Sequence, residues 1–315
     1  MYLIGASIKL CISIILKSKL KIIYILLANT WNMMADAEEL KIICGYLEIG
    51  RRKVIIYTVF MFSTSILYLI IPISAPLLDY ISLHENISRT KIFPIHIEYG
   101  ISKEKYYYPL LLHFIFGGFP TIMVIVIFDL GFILIVENFA ALFALVSYRL
   151  SKSLKTAEDI ENHVITFSKG DKIAYFHLVN AINLHQQAIG YVNLMEDCYN
   201  IPWVIVIFIN LLLAGSGFAI FIFKEDQPDE LIRYGPIIIA GLIHFYCLFH
   251  SGQRIIDYSS QVFDNCYSCK WYNLSTKSIY LVKMMMMRSF RYSTLTAGNL
   301  LCLRLNTFTK VKLKI

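Results

Sequence analysis

Charged side chains are scarce in this chain, and four long stretches have none. Only 16% of its 315 residues are Asp, Glu, Lys or Arg, whereas 57% are hydrophobic, and the mean hydropathy is +0.60. The uncharged stretches are Val54 to Leu78, Tyr106 to Phe128, Ile201 to Phe223 and Tyr234 to Gln253. Each is long enough to cross a hydrocarbon core of about 30 Å as a helix. A large soluble protein with buried helices is disfavoured, because such helices seldom lack charge over about twenty residues.

The chain also lacks the short motifs of enzymes and metal sites. Nucleophile-elbow, P-loop and dinucleotide-binding patterns are absent. The seven cysteines are odd in number and irregularly spaced, so no disulfide framework follows from them. The single CxxC pair, Cys266 and Cys269, lacks the two further ligands that zinc needs. His177 and His185 have no carboxylate-rich pattern beside them. We therefore expect no enzyme activity, no metal and no cofactor.

Basic residues lie between the apolar stretches rather than on one face. The net charge of +7 therefore indicates linkers that flank a membrane, and it does not indicate a nucleic-acid partner. By the positive-inside rule, residues 17–53, 149–176 and 256–291 are predicted to be cytoplasmic, and residues 79–107 and 224–233 extracellular. The predicted spans are 54–78, 108–146, 199–223 and 234–255, with partial spans at 1–16 and 292–310.

Two glycosylation sequons test this orientation. Asn86-Ile-Ser88 lies in a predicted outer loop, where a glycan can be attached, so Asn86 is a candidate glycosylation site. Asn273-Leu-Ser275 lies in a predicted cytoplasmic segment, so we expect Asn273 to stay unmodified.

Two acidic residues interrupt the apolar region 106–148. Asp129 and Glu137 lie eight positions apart and project from broadly the same side of a helix. Because charge is costly in lipid, an acid there usually faces protein or water. One interpretation is a polar contact in a ligand or ion path, and the alternative is a helix that extends beyond the bilayer. We favour the second for Glu137 and leave both open for Asp129.

Aromatic side chains are abundant, with 21 Tyr and 21 Phe. In the predicted outer half of the spans, Tyr68, Phe119 and Met123 are candidates to line an apolar ligand pocket between helices. For each of them, plain helix packing or contact with lipid is the alternative.

Four stretches, in order along the chain, resemble one known family. They are Trp31 to Glu39 with Gly50 to Arg52, Asn86 to Tyr106, His185 to Glu196 and, most strongly, Gly252 to Asn299. The family is that of the insect odorant receptors, within it the large expansions of ants, bees and wasps. No single motif is diagnostic, but the ordered set is fairly specific.

The resemblance implies an all-α polytopic membrane protein, an odorant-receptor-like helical bundle with its N-terminus inside. Aligned in this way, 1–16 is the remainder of span two, and span one is missing. Thr307 to Val311 resembles the start of the last pore-lining helix, most of which is missing.

The implied function is that of the ligand-tuning subunit of an odorant-gated cation channel. It would bind a small apolar odorant and form a hetero-tetramer with a shared olfactory co-receptor in the cell membrane of olfactory sensory neurons. A gustatory-type receptor, a secondary transporter and a non-functional receptor fragment remain alternatives.

Overall fold

The computed structural model describes residues 2–32, 34, 36–81, 100, 105–161, 167–223, 228–268 and 270–312. Within these ranges the chain is mostly helical, and its C-terminal part carries a short β-hairpin. The helices are α1 (Tyr2–Asn32), α2 (Ala37–Ile81), α3 (Tyr107–Glu161), α4 (Phe167–Phe223), α5 (Pro228–Tyr267), α6 (Thr276–Ser289) and α7 (Leu305–Lys312). The strands are β1 (Thr296–Ala297) and β2 (Leu301–Cys302), and a single 3-10 turn covers Trp271–Asn273.

The first five helices are longer than a bilayer is thick. They run from 31 residues in α1 to 57 in α4, about 45 to 85 Å at 1.5 Å per residue. In the described part of the chain, the segments Tyr107–Ser153, Gly170–Ala219 and Tyr234–Tyr267 are long and apolar enough to cross a membrane. The predicted span 54–78 lies within α2. The prediction of an all-α membrane protein is confirmed, while the limits and sidedness of each span stay predictions.

Helix α3 is the central helix and packs against α1, α2, α4 and α5. We call residues 108–127 its outer segment and residues 128–150 its inner segment. The inner segment is largely buried, and its core includes Phe139 and Phe143. Where α3 meets α4, the ring centroids of Phe132 and Trp203 lie 4.6 Å apart, edge to face. These contacts fix α4 against the inner segment.

The C-terminal part corrects one prediction. The predicted partial span 292–310 is helical only from Leu305, because the residues before it form the hairpin. The turn contains Gly298 and Asn299, both with positive φ, at 64° and 57°. Two consecutive left-handed residues give the turn geometry that matches the twist of a hairpin, and they end any helix that reaches them.

The hairpin is held on α4 by polar contacts. Glu196 accepts a hydrogen bond from the backbone N–H of Thr296 at 2.8 Å and another from the Thr296 hydroxyl. The Asn200 side chain donates to the Asn299 Oδ1 atom at 2.7 Å, and its backbone carbonyl accepts from Gly298 N–H at 3.1 Å. The hairpin therefore sits in a fixed position on α4.

Helix α7 and the chain leading to it pack on α5. A Cβ atom at Gly252 would overlap the backbone carbonyl oxygen of Leu303, so only glycine permits this approach. The Phe308 ring of α7 lies 5.9 Å from the Phe249 ring of α5, between centroids. These contacts join α7 directly to α5.

Candidate functional site

Four helices meet at a buried polar cluster around Asp129. The Asp129 cluster consists of Lys9 on α1, Tyr57 on α2, Asp129 on α3 and His244 on α5. Lys9 Nζ donates to Asp129 Oδ1 at 2.6 Å, and the Tyr57 hydroxyl donates to Oδ2 at 2.7 Å. His244 Nδ1 lies 3.0 Å from the same Oδ2 atom. All four residues are buried.

The neighbours of the Asp129 side chain are protein groups, and whether Asp129 lies in a ligand or ion path stays a prediction. Its carboxylate faces protein, and each of its oxygens has a partner within hydrogen-bonding distance. A buried ion pair of this kind adds little net stability when complete, but removal of one partner leaves an uncompensated buried charge. The cluster therefore fixes the relative positions of α1, α2, α3 and α5.

A second polar cluster surrounds Glu137, about 12 Å further along α3 at 1.5 Å per residue. The Glu137 cluster consists of Lys53 on α2, Glu137 on α3, and His250 and Arg254 on α5. Lys53 Nζ lies 2.5 Å from Glu137 Oε1, and Arg254 Nη2 donates to Oε2 at 2.7 Å. Lys53 Nζ also lies 3.3 Å from His250 Nε2. Two cations thus hold one carboxylate that is only 1% exposed.

Further ion pairs continue toward the predicted cytoplasmic end of α3. Arg149 makes a bidentate contact with Glu39 of α2, at 2.7 and 2.8 Å. Lys152 Nζ donates to Asp36 Oδ2 at 2.6 Å, and this hydrogen bond holds the pKa of the Asp36 carboxyl below its usual value. Two charge pairs, Lys53–Glu137 and Arg149–Glu39, therefore join the inner segment to α2, and the Lys152–Asp36 pair lies just beyond both.

A small cavity lies beside the Asp129 cluster, with room for about one water-sized sphere (≈ 10 Å³). It is lined by Asp129, Phe132, Ile133, Trp203, His244, Cys247 and Leu248. Two of these side chains have a buried nitrogen atom, Trp203 Nε1 and His244 Nε2. Neither atom forms a hydrogen bond with any described residue.

The predicted pocket residues lie on α2 and on the outer segment of α3. The Tyr68 and Phe114 ring centroids are 6.3 Å apart, and those of Phe119 and Phe62 are 6.4 Å apart. Met123 is half-buried, and Phe119 is 55% exposed. The structure thus brings Tyr68 and Phe119 to the α2–α3 contact. That they line a ligand pocket stays a prediction.

The remaining sequence candidates fall in two groups. Asn86 and most of the predicted outer loop 79–107 lie outside the described residues, as do residues 224–227 of the second outer loop. His185 packs edge to face on Phe143, with centroids 6.1 Å apart. Among the described residues, no three His, Cys, Asp or Glu side chains are grouped to hold a metal ion.

Sequence reasoning did not find Tyr57, His244 or Trp203. A signal existed for the Lys9 contact, because Lys9 is the only charged residue in the apolar segment 1–16, and an isolated charge in a span calls for an opposite charge. No comparable signal marks Tyr57 or His244, since uncharged polar residues are common in the apolar stretches.

Comparison with known proteins assigns the family. The family model described as 7tm odorant receptor matches residues 2–312, nearly the whole chain. The chain belongs to the 7tm odorant receptor family. The resemblance seen in the sequence is thereby confirmed.

Relatives and solved structures agree with this assignment. The chain is 21% identical over 136 residues to the odorant receptor coreceptor of Aedes aegypti, covering 41% of this chain and 27% of that protein. It is 22% identical over 154 residues to odorant receptor 67c of Drosophila melanogaster, covering 48% and 37%. The chain thus spans well under two thirds of the curated relatives that it matches.

The fold matches that of an insect olfactory receptor. The structure of receptor OR5 from Machilis hrabei in complex with eugenol gives a TM-score of 0.72 at 11% identity, covering 99% of this chain and 77% of that one. A second structure of the same receptor gives 0.62 at 14% identity, with the same coverage. At these identities the likeness supports the fold alone.

Proposed function

We propose that this chain is the ligand-tuning subunit of an odorant-gated cation channel. It assembles with a shared olfactory co-receptor as a hetero-tetramer in the cell membrane of olfactory sensory neurons. The observation that carries the proposal is the match of the odorant receptor family to residues 2–312. The similarity to a curated odorant receptor and to curated co-receptors supports it.

A small apolar odorant binds between α2 and the outer segment of α3, against Tyr68, Phe119 and Met123. Two features support this placement. Aromatic rings from both helices meet there at 6.3 to 6.4 Å, and Phe119 keeps over half of its surface exposed.

Binding acts on the channel through helices shared by the pocket and the polar clusters. Helix α2 carries both Tyr68 and Tyr57, and α5 carries His244 and packs on α7. A ligand that favours one spacing of α2 and α3 shifts the population toward the arrangement it binds more tightly. The contact between α5 and α7 then passes this shift to the segment that resembles the start of a pore helix.

Odorant-evoked current from co-expressed chains tests the proposal. The chain is expressed with an insect co-receptor, and currents are recorded for a panel of alcohols, aldehydes, esters and terpenes. We expect currents whose odorant ranking differs from that of a related receptor with the same co-receptor. Currents unchanged when this chain is exchanged for the relative would contradict the proposal.

Phe119→Ala, with Phe116→Ala as its control, tests the pocket. Phe116 lies in the same outer segment and is 70% exposed. Because an aromatic contact is worth about 1.5 to 3 kcal/mol, Phe119→Ala should raise the half-maximal odorant concentration at least about tenfold. Phe116→Ala should change it less than about twofold. Equal responses in the two variants would place the pocket elsewhere.

A further inference from the structure

Two of the side chains that line the cavity beside the Asp129 cluster carry a ring nitrogen without a hydrogen-bond partner among the described residues. Trp203 and His244 both line it, and both are more than nine-tenths buried. Their Nε1 and Nε2 atoms have no hydrogen-bond partner in the described part of the chain. Burial of such groups without a partner is unfavourable, so the pair indicates a site for a molecule that can form hydrogen bonds with both.

The hydrogen-bonding character of the two atoms identifies that molecule. The indole Nε1–H of Trp203 is only a donor. In the neutral imidazole of His244, the Nδ1–H directed at Asp129 from 3.0 Å leaves Nε2 as an acceptor. A hydroxyl oxygen accepts from the indole and donates to the imidazole, whereas a ketone, aldehyde or ether oxygen only accepts.

We propose that this cavity is a hydroxyl-binding site that takes one oxygen atom bonded to Trp203 and His244. The volume of about 10 Å³ matches a single oxygen-sized group and excludes a whole odorant. The oxygen comes either from a water molecule or from the terminal hydroxyl of an alcohol that reaches in from the outer half. Only the second source rests on the proposed odorant-receptor function.

The site has a direct connection to the helices that the Asp129 cluster holds. His244 contacts Asp129 through Nδ1 at 3.0 Å and the hydroxyl through Nε2. Trp203 belongs to α4 and stacks on Tyr199 at 5.6 Å between centroids. The bound oxygen therefore joins α4 to α5 beside α3, and a hydroxyl supplied by a ligand would change that junction.

Ultraviolet resonance Raman spectroscopy tests the site without any channel activity. The indole band that reports N–H hydrogen bonding is obtained for Trp203 from the difference between the purified full chain and Trp203→Phe. Should Trp203→Phe fail to fold, a chain with Trp31→Phe and Trp271→Phe keeps Trp203 as its single Trp and gives the same band. Tyr199→Phe, which alters the stacked neighbour outside the cavity, is the control and should leave the band unchanged.

The possible results show whether water or the ligand supplies the oxygen, and one result contradicts the proposal. A hydrogen-bonded indole in buffer that does not respond to octanol assigns the oxygen to water, and a band that shifts with octanol but not with octanal assigns it to the ligand. An indole N–H without a hydrogen bond under both conditions overturns the proposal.

Recorded currents give a second way to tell whether water or the ligand supplies the oxygen. If the ligand supplies the hydroxyl, Trp203→Phe should weaken the response to octanol about fivefold relative to octanal, the effect of one hydrogen bond. If water supplies it, the two responses should change equally. Absence of any odorant current would count against the proposed function and leave the spectroscopic result standing.

Discussion

The outer and inner segments of α3 belong to one continuous helix but differ in how they are held. In the outer segment, Phe116 and Phe119 are 70% and 55% exposed, whereas Phe139 and Phe143 of the inner segment are fully buried. The outer segment has no charged residue between 108 and 127, while the inner one contains Asp129 and Glu137, both paired with cations from neighbouring helices. Apolar contacts without direction permit rearrangement around a ligand, but paired buried charges do not.

Loss of the Asp129 carboxylate should give the largest effect. Asp129→Ala leaves the Lys9 ammonium buried without its partner, which is expected to lower the free energy of unfolding by about 5 kcal/mol, at the upper end for broken buried pairs. The melting temperature of the purified chain in detergent measures it. The double variant Lys9→Met/Asp129→Ala should recover most of the loss. A double variant as unstable as the single one would show that the ion pair does not carry the effect.

Two phenylalanines of α3 allow a matched comparison of its segments. Phe139→Ala creates a cavity in the core and should cost about 3 to 4 kcal/mol, whereas Phe119→Ala, more than half exposed, should cost less than about 1 kcal/mol. Both are measured by thermal melting under the same conditions. If the two variants lost equal stability, the two segments of α3 would not differ in how firmly they are packed.

The position of α7 depends on one glycine of α5. Because a Cβ atom at Gly252 would overlap the Leu303 carbonyl oxygen, Gly252→Ala should force the two segments apart and cost about 2 kcal/mol. Odorant-evoked currents should fall by more than the loss of folded protein explains, because α7 is displaced. Gly190→Ala, where a Cβ atom meets no described atom within 4 Å, is the control. It should leave the currents unchanged and should not lower the melting temperature, since alanine favours a helix more than glycine does.

The smallest effect is expected at the exposed end of the charge pairs. Lys152 holds the pKa of Asp36 below its usual value, so the pair is intact at neutral pH and contributes less as the pH falls through that lowered pKa. Because solvent screens this pair, Asp36→Asn should not change the melting temperature measurably at pH 7. A large loss would mean that this exposed pair stabilises the fold as strongly as the buried clusters do.

The contrast within α3 could be predicted from the sequence only in part. Long runs without charge predict the membrane helices, and the isolated charges Lys9 and Asp129 each call for a partner. Which partner each one meets depends on how helices far apart in the chain are packed together. Helical periodicity does not fix that packing, so Tyr57 and His244 could not be assigned.

The hairpin shows why an apolar stretch can mislead. Residues 292–303 carry no charge and were therefore predicted to belong to a partial span. Gly298 and Asn299 were the available turn signal, since this pair readily adopts positive φ. The docking of the hairpin through Glu196 and Asn200 of α4 is a tertiary contact that no local pattern reveals.

An exchange of α3 segments with odorant receptor 67c tests most directly whether odorants are recognised in the outer half. One chimaera carries the relative's residues in place of 108–127, the other in place of 128–150, and both are recorded with the co-receptor on one odorant panel. We expect the odorant ranking to follow the outer segment. Exchange of the inner segment should leave it unchanged, except for alcohols relative to aldehydes if the ligand supplies the hydroxyl beside Asp129. A ranking that follows the inner segment and does not change when the outer segment is exchanged would contradict this assignment.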